Sequence, residues 1–391
     1  MKTAMWLYLF IFVALFDLHA QYPMLTPFAI SLGAAPSFIG FIMGTYSLTH
    51  LPGNLLAGYS VDRFGSKPFI AGSLIGAGIL LIWQGHVHDP WQLLWVRSAS
   101  GFVLAFLSPA CMALLAKLAR DHIHQGKLMS GNGLVHTLAS VVSPAAGALL
   151  VAEIGFTKAF VALGWGLIAV GLLSLIGVKE AERSDIGTGA RSLHDAPPVD
   201  AGTNGSIPSG TPGVPWRFFG IPLALSCSQG ILFFELPLLA SSQSSILKSG
   251  LLFSIVSVGA LITLAMLFLN YVSAHIRAAF SALSLALVFF GMAVHWPIPL
   301  PATLLLIGMC KGVLFPAMAT LLASLSDPSR YGRVFSLLSI SFSIGAFIGP
   351  IAAGQARDHI SPYFIAFIAL MTALALLPTP IGTARTAPIR T

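Results

Sequence analysis

Apolar runs of membrane-span length, separated by short polar connections, follow one another along almost the whole chain. A spanning helix needs about 20 predominantly apolar residues, because lipid offers no partner to backbone N–H and C=O groups. Twelve such segments are predicted, near 5–29, 36–58, 68–86, 91–115, 128–152, 157–178, 218–241, 249–271, 279–296, 299–325, 333–355 and 362–380. Only one connection is long. Residues 179–217 open with Lys179, Glu180, Glu182, Arg183, Asp185 and Arg191 and continue as a Pro/Gly/Ser-rich run that is too polar to insert and too poor in apolar residues to pack. The pattern predicts two six-helix halves, 1–178 and 218–382, joined by a flexible linker and followed by a short tail, 383–391.

Composition agrees with that pattern. Hydrophobic residues make up 56% of the chain and charged residues only 8%, against roughly 25% charged in ordinary soluble domains. A soluble globular protein is excluded and an all-α integral membrane protein expected. Lysine and arginine concentrate in cytoplasmic loops near helix ends. With the N-terminus inside, most of the 20 basic residues fall on the cytoplasmic side, leaving Lys158, Lys248 and Arg357 outside and Arg97 and Lys311 within spans. Both termini are therefore expected in the cytoplasm, in a cell membrane of bacterial type. The net charge of +7 then reports topology and contact with anionic lipid rather than a nucleic-acid partner. Lys2, the first apolar run and Leu18-His19-Ala20 imitate a secretory signal, but Leu18 is large for a cleavage site and the segment reads better as the first span. Cys111, Cys227 and Cys310 lie in spans and read as free packing thiols.

The halves repeat each other. Gly101 and PACMALLAKL (109–118) match Gly308 and PAMATLLASL (316–325), while Asp121, Gly126, Lys127, Ser130 and Pro144 match Asp327, Gly332, Arg333, Ser336 and Pro350. Duplicated halves joined by a linker place a substrate site at their interface near mid-membrane and rock about it.

Four stretches carry a family resemblance. GYSVDRFGSK (58–67) resembles the signature loop between helices 2 and 3 of the major facilitator superfamily: Gly58, Asp62, Arg63, Gly65 and Lys67 match, while Ser60 and Ser66 replace a leucine and a basic residue. Arg97-x-x-x-Gly101-x-x-x-Ala105 resembles the family motif that sets an arginine in helix 4. ASVVSPAAGA (139–148) keeps Pro144 and Gly147 of the antiporter signature in helix 5, with Ala139, Ser143 and Ala148 standing where it has glycines. FDLHAQYPMLTPFAISLG (16–33) is similar to the opening of tetracycline-type and multidrug proton antiporters, which place an acid on helix 1. The resemblance implies a twelve-helix transporter fold close to the drug/proton antiporter branch, with 58–67 as a gating loop in which Asp62 and Arg63 latch a neighbouring helix end.

Ionisable residues inside spans cost roughly 2.5–3.5 kcal/mol each on insertion scales, so each calls for a partner or a wet cavity. Asp17, Arg97, Glu235 and Lys311 are the four, one acid and one base per half. Asp17, Arg97 and Glu235 are the proton-coupling candidates; the alternatives are a structural acid capping or pairing with a neighbour for Asp17, a structural role for Arg97, and an interfacial acid touching water for Glu235. Asp17, Gln21, Tyr46, His50, Asn54, His136, Ser226, Gln229, Phe233 and Lys311 are the candidate cavity residues; Tyr46, His50 and Asn54 share a helix face at i, i+4 spacing. His136 is either a proton relay or a histidine bonded to a neighbour. His86-x-His88-Asp89 and Asp121-His122-x-His124 offer too few ligands for a metal centre.

No phosphate loop, nucleotide domain or catalytic constellation is present in the sequence, so neither an enzyme nor a cofactor is expected. The expected partners are a small-molecule substrate, protons and membrane lipids, with the chain acting as a monomer. The leading expectation is proton-coupled efflux of a small amphipathic compound by alternating access. The alternatives are uptake or exchange of a polar or anionic metabolite, with Arg97 and Lys311 clamping a carboxylate or phosphate, and lipid handling.

Overall fold

A computed structural model describes residues 2–118, 122–177, 216–241, 245–324 and 331–377. Most of the linker and all of the tail, together with Arg120, Asp121, Asp327 and Arg330, lie outside the described residues. The described chain is helical: α1 (Lys2–Ala20), α2 (Tyr22–Ser31), α3 (Pro36–Phe64), α4 (Lys67–Gln84), α5 (Pro90–Leu104), α6 (Leu107–Lys117) and α7 (His122–Gly177) form the first half. A 3-10 turn (Trp216–Phe219) leads into the second, with α8 (Gly220–Ser241), α9 (Ile246–Ala265), a second 3-10 turn (Leu267–Tyr271), α10 (Ala274–Ala293), α11 (Leu300–Ser324), α12 (Tyr331–Ala356) and α13 (Pro362–Ala375).

Among the described residues nine helical stretches are long and apolar enough to cross a membrane. One of them, Gly131–Gly177, holds two of the predicted spans, because a single non-helical residue, Gly155 at φ 79°, interrupts α7. Only glycine adopts that backbone without strain. Helix α3 is long enough at 29 residues, but His50, Asn54, Asp62 and Arg63 lower its hydropathy, and α13 has only 14 residues.

Prolines explain where the helices depart from prediction. The first span divides at Gln21, because Pro23 has no N–H to return to the carbonyl of His19. The fourth divides at 105–106, where Pro109 does the same to Ala105. The expected gating loop is mostly helix. Gly58, Asp62 and Arg63 sit on the last two turns of α3, Gly65 makes the turn at φ 88°, and Lys67 opens α4. The side chain of Asp62 lies outside the described residues. Arg63 is spent on its own helix end, donating to Tyr59 Oη at 3.2 Å and lying 5.3 Å from the Phe64 ring centre, rather than latching a neighbour.

The internal repeat appears in the packing. In the first half α3 packs on α5 and α1 on α7; their counterparts α9 on α11 and α8 on α12 pack likewise. The halves meet along two seams, α3 against α12 and α7 against α9. At one, a side chain on Gly40 would collide with the carbonyl of Pro350; at the other, a side chain on Gly250 would collide with that of Pro144. Pro144 and Pro350 are the pair that the sequence repeat aligns, so the two seams are the same device used twice. Both sit toward the end of the bundle that carries the α2–α3 turn. Large apolar side chains such as Ile79, Ile176 and Phe280 point outward, as lipid-facing positions should.

Candidate functional site

Below the seams, α1, α3, α5, α6 and α7 enclose a cavity of about 130 Å³ lined by Leu15, Leu18, Tyr46, His50, Leu104, Ser108, Asn132 and His136 among others. An ionic network adjoins the cavity wall behind Tyr46, although none of its members lines the cavity. Gln21, at the break between α1 and α2, accepts from Arg97 Nη1 at 2.8 Å and from Gln84 Nε2 at 3.1 Å, and its own Nε2 donates to Asp17 Oδ2 at 2.9 Å. Asp17 and Arg97 are thus linked through an amide, and all four side chains are buried. Asp17 Oδ1 and Arg97 Nε have no hydrogen-bond partner among the described residues. A buried carboxylate with one oxygen unsatisfied is costly as an anion.

Arg97 also stacks on Tyr46, its guanidinium carbon 4.6 Å from the ring centre. Down the same face of α3, the Tyr46 and His50 rings lie 5.8 Å apart and Asn54 Nδ2 meets His50 Nδ1 at 2.9 Å. The predicted i, i+4 stripe is therefore a continuous polar line from the buried arginine along the cavity wall. His136 reaches the cavity from α7, edge-on to His19 with centroids 5.6 Å apart.

Across the interface, Tyr22 meets Phe233 of α8 at 4.2 Å between centroids, and Phe253 of α9 joins both rings. Lys311 of α11 lies 5.8 Å from the centre of the Phe233 ring. Gln229 is half-buried one turn before Phe233. Ser226 has a different role: its hydroxyl donates to the carbonyl of Phe342 on α12 at 2.6 Å, fastening two helices.

Glu235 does not join the Asp17 cluster. It pairs with Arg357, just beyond α12, at 3.8 Å. Charge counting places Arg357 among the loop residues, so this pairing is not visible in the sequence. Gln84 and His19 are likewise neighbours of the candidate residues that sequence reasoning misses. Gln84 closes α4 and reads as interfacial in a linear pattern; His19 is absorbed into the apolar run of the first span.

The comparisons with known proteins bear on this geometry. The family model described as Major Facilitator Superfamily matches residues 7–298 and 218–388. The chain belongs to the major facilitator superfamily. Among curated relatives it is 28% identical over 179 residues to puromycin resistance protein pur8 of Streptomyces alboniger, covering 45% of this chain and 34% of the relative. It is 31% identical over 142 residues to multidrug resistance protein MdtG of Salmonella arizonae, covering 35% of each. The matched region thus spans about a third of the length of these relatives. The fold is also that of a bacterial homologue to human lysosomal transporter spinster, solved in an inward-facing and occupied conformation, with a TM-score of 0.72 at 13% identity over 95% of each chain. The unoccupied inward-facing form of that homologue gives 0.69, covering 96% of this chain and 93% of that one.

Proposed function

We propose that this superfamily member exports a small amphipathic compound in exchange for protons. The observation that carries the reading is the buried Asp17–Gln21–Arg97 chain, which adjoins the cavity wall through Tyr46. Asp17 Oδ1, which accepts no hydrogen bond, is the atom that takes the proton. A protonated Asp17 no longer balances Arg97, and the amide of Gln21 is then free to re-pair. Its place at the break between α1 and α2 ties that change to the first span. The driving force is the proton gradient, worth about 2.3 kcal/mol per charge per 100 mV of potential.

With the N-terminus in the cytoplasm, the two glycine–proline seams close the outer end and the cavity belongs to an inward-facing state. Substrate enters from the inside, against Tyr46, His50 and the apolar wall of Leu15, Leu18 and Leu104. Names of relatives such as the puromycin and multidrug resistance proteins support export over uptake. The chain works as a monomer in a bacterial cell membrane, with both termini inside.

A second reading, uptake or exchange of an anionic metabolite, draws on Lys311. Arg97 is already committed to Gln21 and Tyr46, so no two-cation clamp is available without breaking that network. The test is purified protein in liposomes with an imposed pH gradient, challenged with puromycin and a chemically diverse panel. Export requires that adding a transported compound dissipates the gradient. Movement of compound with no proton flux for any member of the panel overturns the proposal.

A further inference from the structure

Lys311 stands apart from the other membrane-embedded charges. It is midway along α11, half-buried, with its ammonium above the Phe233 ring, and no acidic side chain among the described residues pairs with it. The acids nearest mid-membrane are already engaged, Asp17 by Gln21 and Glu235 by Arg357. Two further basic groups, His19 and His136, are connected to it through a line of aromatic rings. The arrangement is closed by ring contacts: Phe233 on Tyr22, Tyr22 on His19 at 5.4 Å, and His19 on His136. His19 gives its Nδ1 hydrogen to the carbonyl of Leu15 at 2.8 Å, so its ring is held in place and steadies His136, which lines the cavity.

We propose that Lys311 and His136 form a subsite for the acidic group of the substrate, and that the transported compound is an organic monoanion with a flat apolar body. The reading rests on the cavity being the substrate site. The ammonium supplies a charge-assisted hydrogen bond to a carboxylate, and His136 a second donor from the other half of the molecule. The rings of Tyr22, Phe233 and Phe253 supply the apolar surface beside it. An anion bound there neutralises the one mid-membrane charge that the described residues leave uncompensated, whereas a lipophilic cation adds to it. Because Lys311 and His136 come from opposite halves, an anion held by both also ties α11 to α7.

The experiment compares three probes with one ring system: 1-naphthoate, 1-naphthalenemethanol and 1-naphthylmethylammonium. Binding to the full-length protein in zwitterionic nanodiscs is measured by equilibrium dialysis, with empty nanodiscs subtracted. Naphthoate is expected to bind at least tenfold more tightly than the alcohol, and the ammonium compound more weakly than both. Lys311→Gln removes the anion preference, bringing acid and alcohol to similar affinity; Lys311→Arg retains it; His136→Gln reduces it about threefold. Equal binding of acid and alcohol overturns the subsite, as does tightest binding of the ammonium compound, an anion preference that survives in Lys311→Gln, or binding of none of the three at millimolar concentration. If Lys311→Gln does not fold, the wild-type ranking and Lys311→Arg still decide. No gradient enters the measurement. An anion preference in a protein that moves no protons overturns only the coupling, and proton-driven export without an anion preference overturns only the subsite.

Discussion

The two halves share a scaffold but not a chemistry. Each contributes one glycine-on-proline seam, Gly250 on Pro144 and Gly40 on Pro350, and each packs its helices in the same pairs. Their charges have diverged. In the first half the acid and the base meet through Gln21 on one buried network that Gln84 completes. In the second the acid has moved out to Arg357, leaving Lys311 without a carboxylate among the described residues. Duplication constrains what touches backbone, because a seam built on a bare Cα tolerates no side chain. Side chains facing the cavity carry no such constraint and were free to specialise. On the proposed reading the first half couples and the second recognises.

The sharpest way to break that division is Asp17→Asn. Accumulation driven by a pH gradient should fall at least a hundredfold in proteoliposomes, while exchange of labelled for unlabelled substrate without a gradient persists. Continued uphill transport would move coupling out of the first half. The seams come next, and here the halves should behave alike. Gly40→Leu and Gly250→Leu each place atoms on a facing carbonyl, so each should slow transport at least tenfold with substrate binding nearly unchanged. Cysteine accessibility from the end of the bundle near the α2–α3 turn should rise in both. A large effect of one and none of the other would mean that the seams are not equivalent.

Gln21→Leu tests the network itself. Removing the amide strands the carboxylate and the guanidinium in a site with no other bridge, and an unmade buried hydrogen bond to a charged group costs about 1–3 kcal/mol or more. A lowered melting temperature in detergent and a roughly tenfold slower proton-coupled rate are expected. Wild-type values for both would make Gln21 a spectator.

Much of this contrast is legible in the amino-acid sequence. Asp17, Arg97, Glu235 and Lys311 announce themselves because a charge in an apolar run is expensive wherever it sits, and the Pro144/Pro350 match announces the repeat. What the linear pattern hides is pairing. Glu235 and Arg357 are far apart in sequence and become partners only when α8 and α12 pack. Gln84 is uncharged and at a helix end, so nothing in a hydropathy pattern separates a buried network amide from an interfacial one. The length of α3 is hidden for a related reason. Hydropathy falls after residue 58, yet the helix continues to Phe64, because a helix leaving the membrane needs no apolar residues to keep its backbone bonded.

The smallest effect should come from Glu235→Gln, and its smallness is informative. The pair with Arg357 is long at 3.8 Å, and although the glutamate side chain is only 5% exposed, the arginine at 30% still reaches solvent, so losing the attraction costs little. The amide fills the same volume, and it leaves no buried anion behind. Transport rate and its pH dependence should change less than twofold, and the melting temperature by no more than a few degrees. Glu235 and Asp17 occupy related helices of the repeat, so the two variants form a matched pair: the same carboxylate-to-amide change, one in a closed network and one in a long ion pair. A loss of coupling in Glu235→Gln as severe as in Asp17→Asn would show that the second half also carries protons, and the division of labour between the halves would fail.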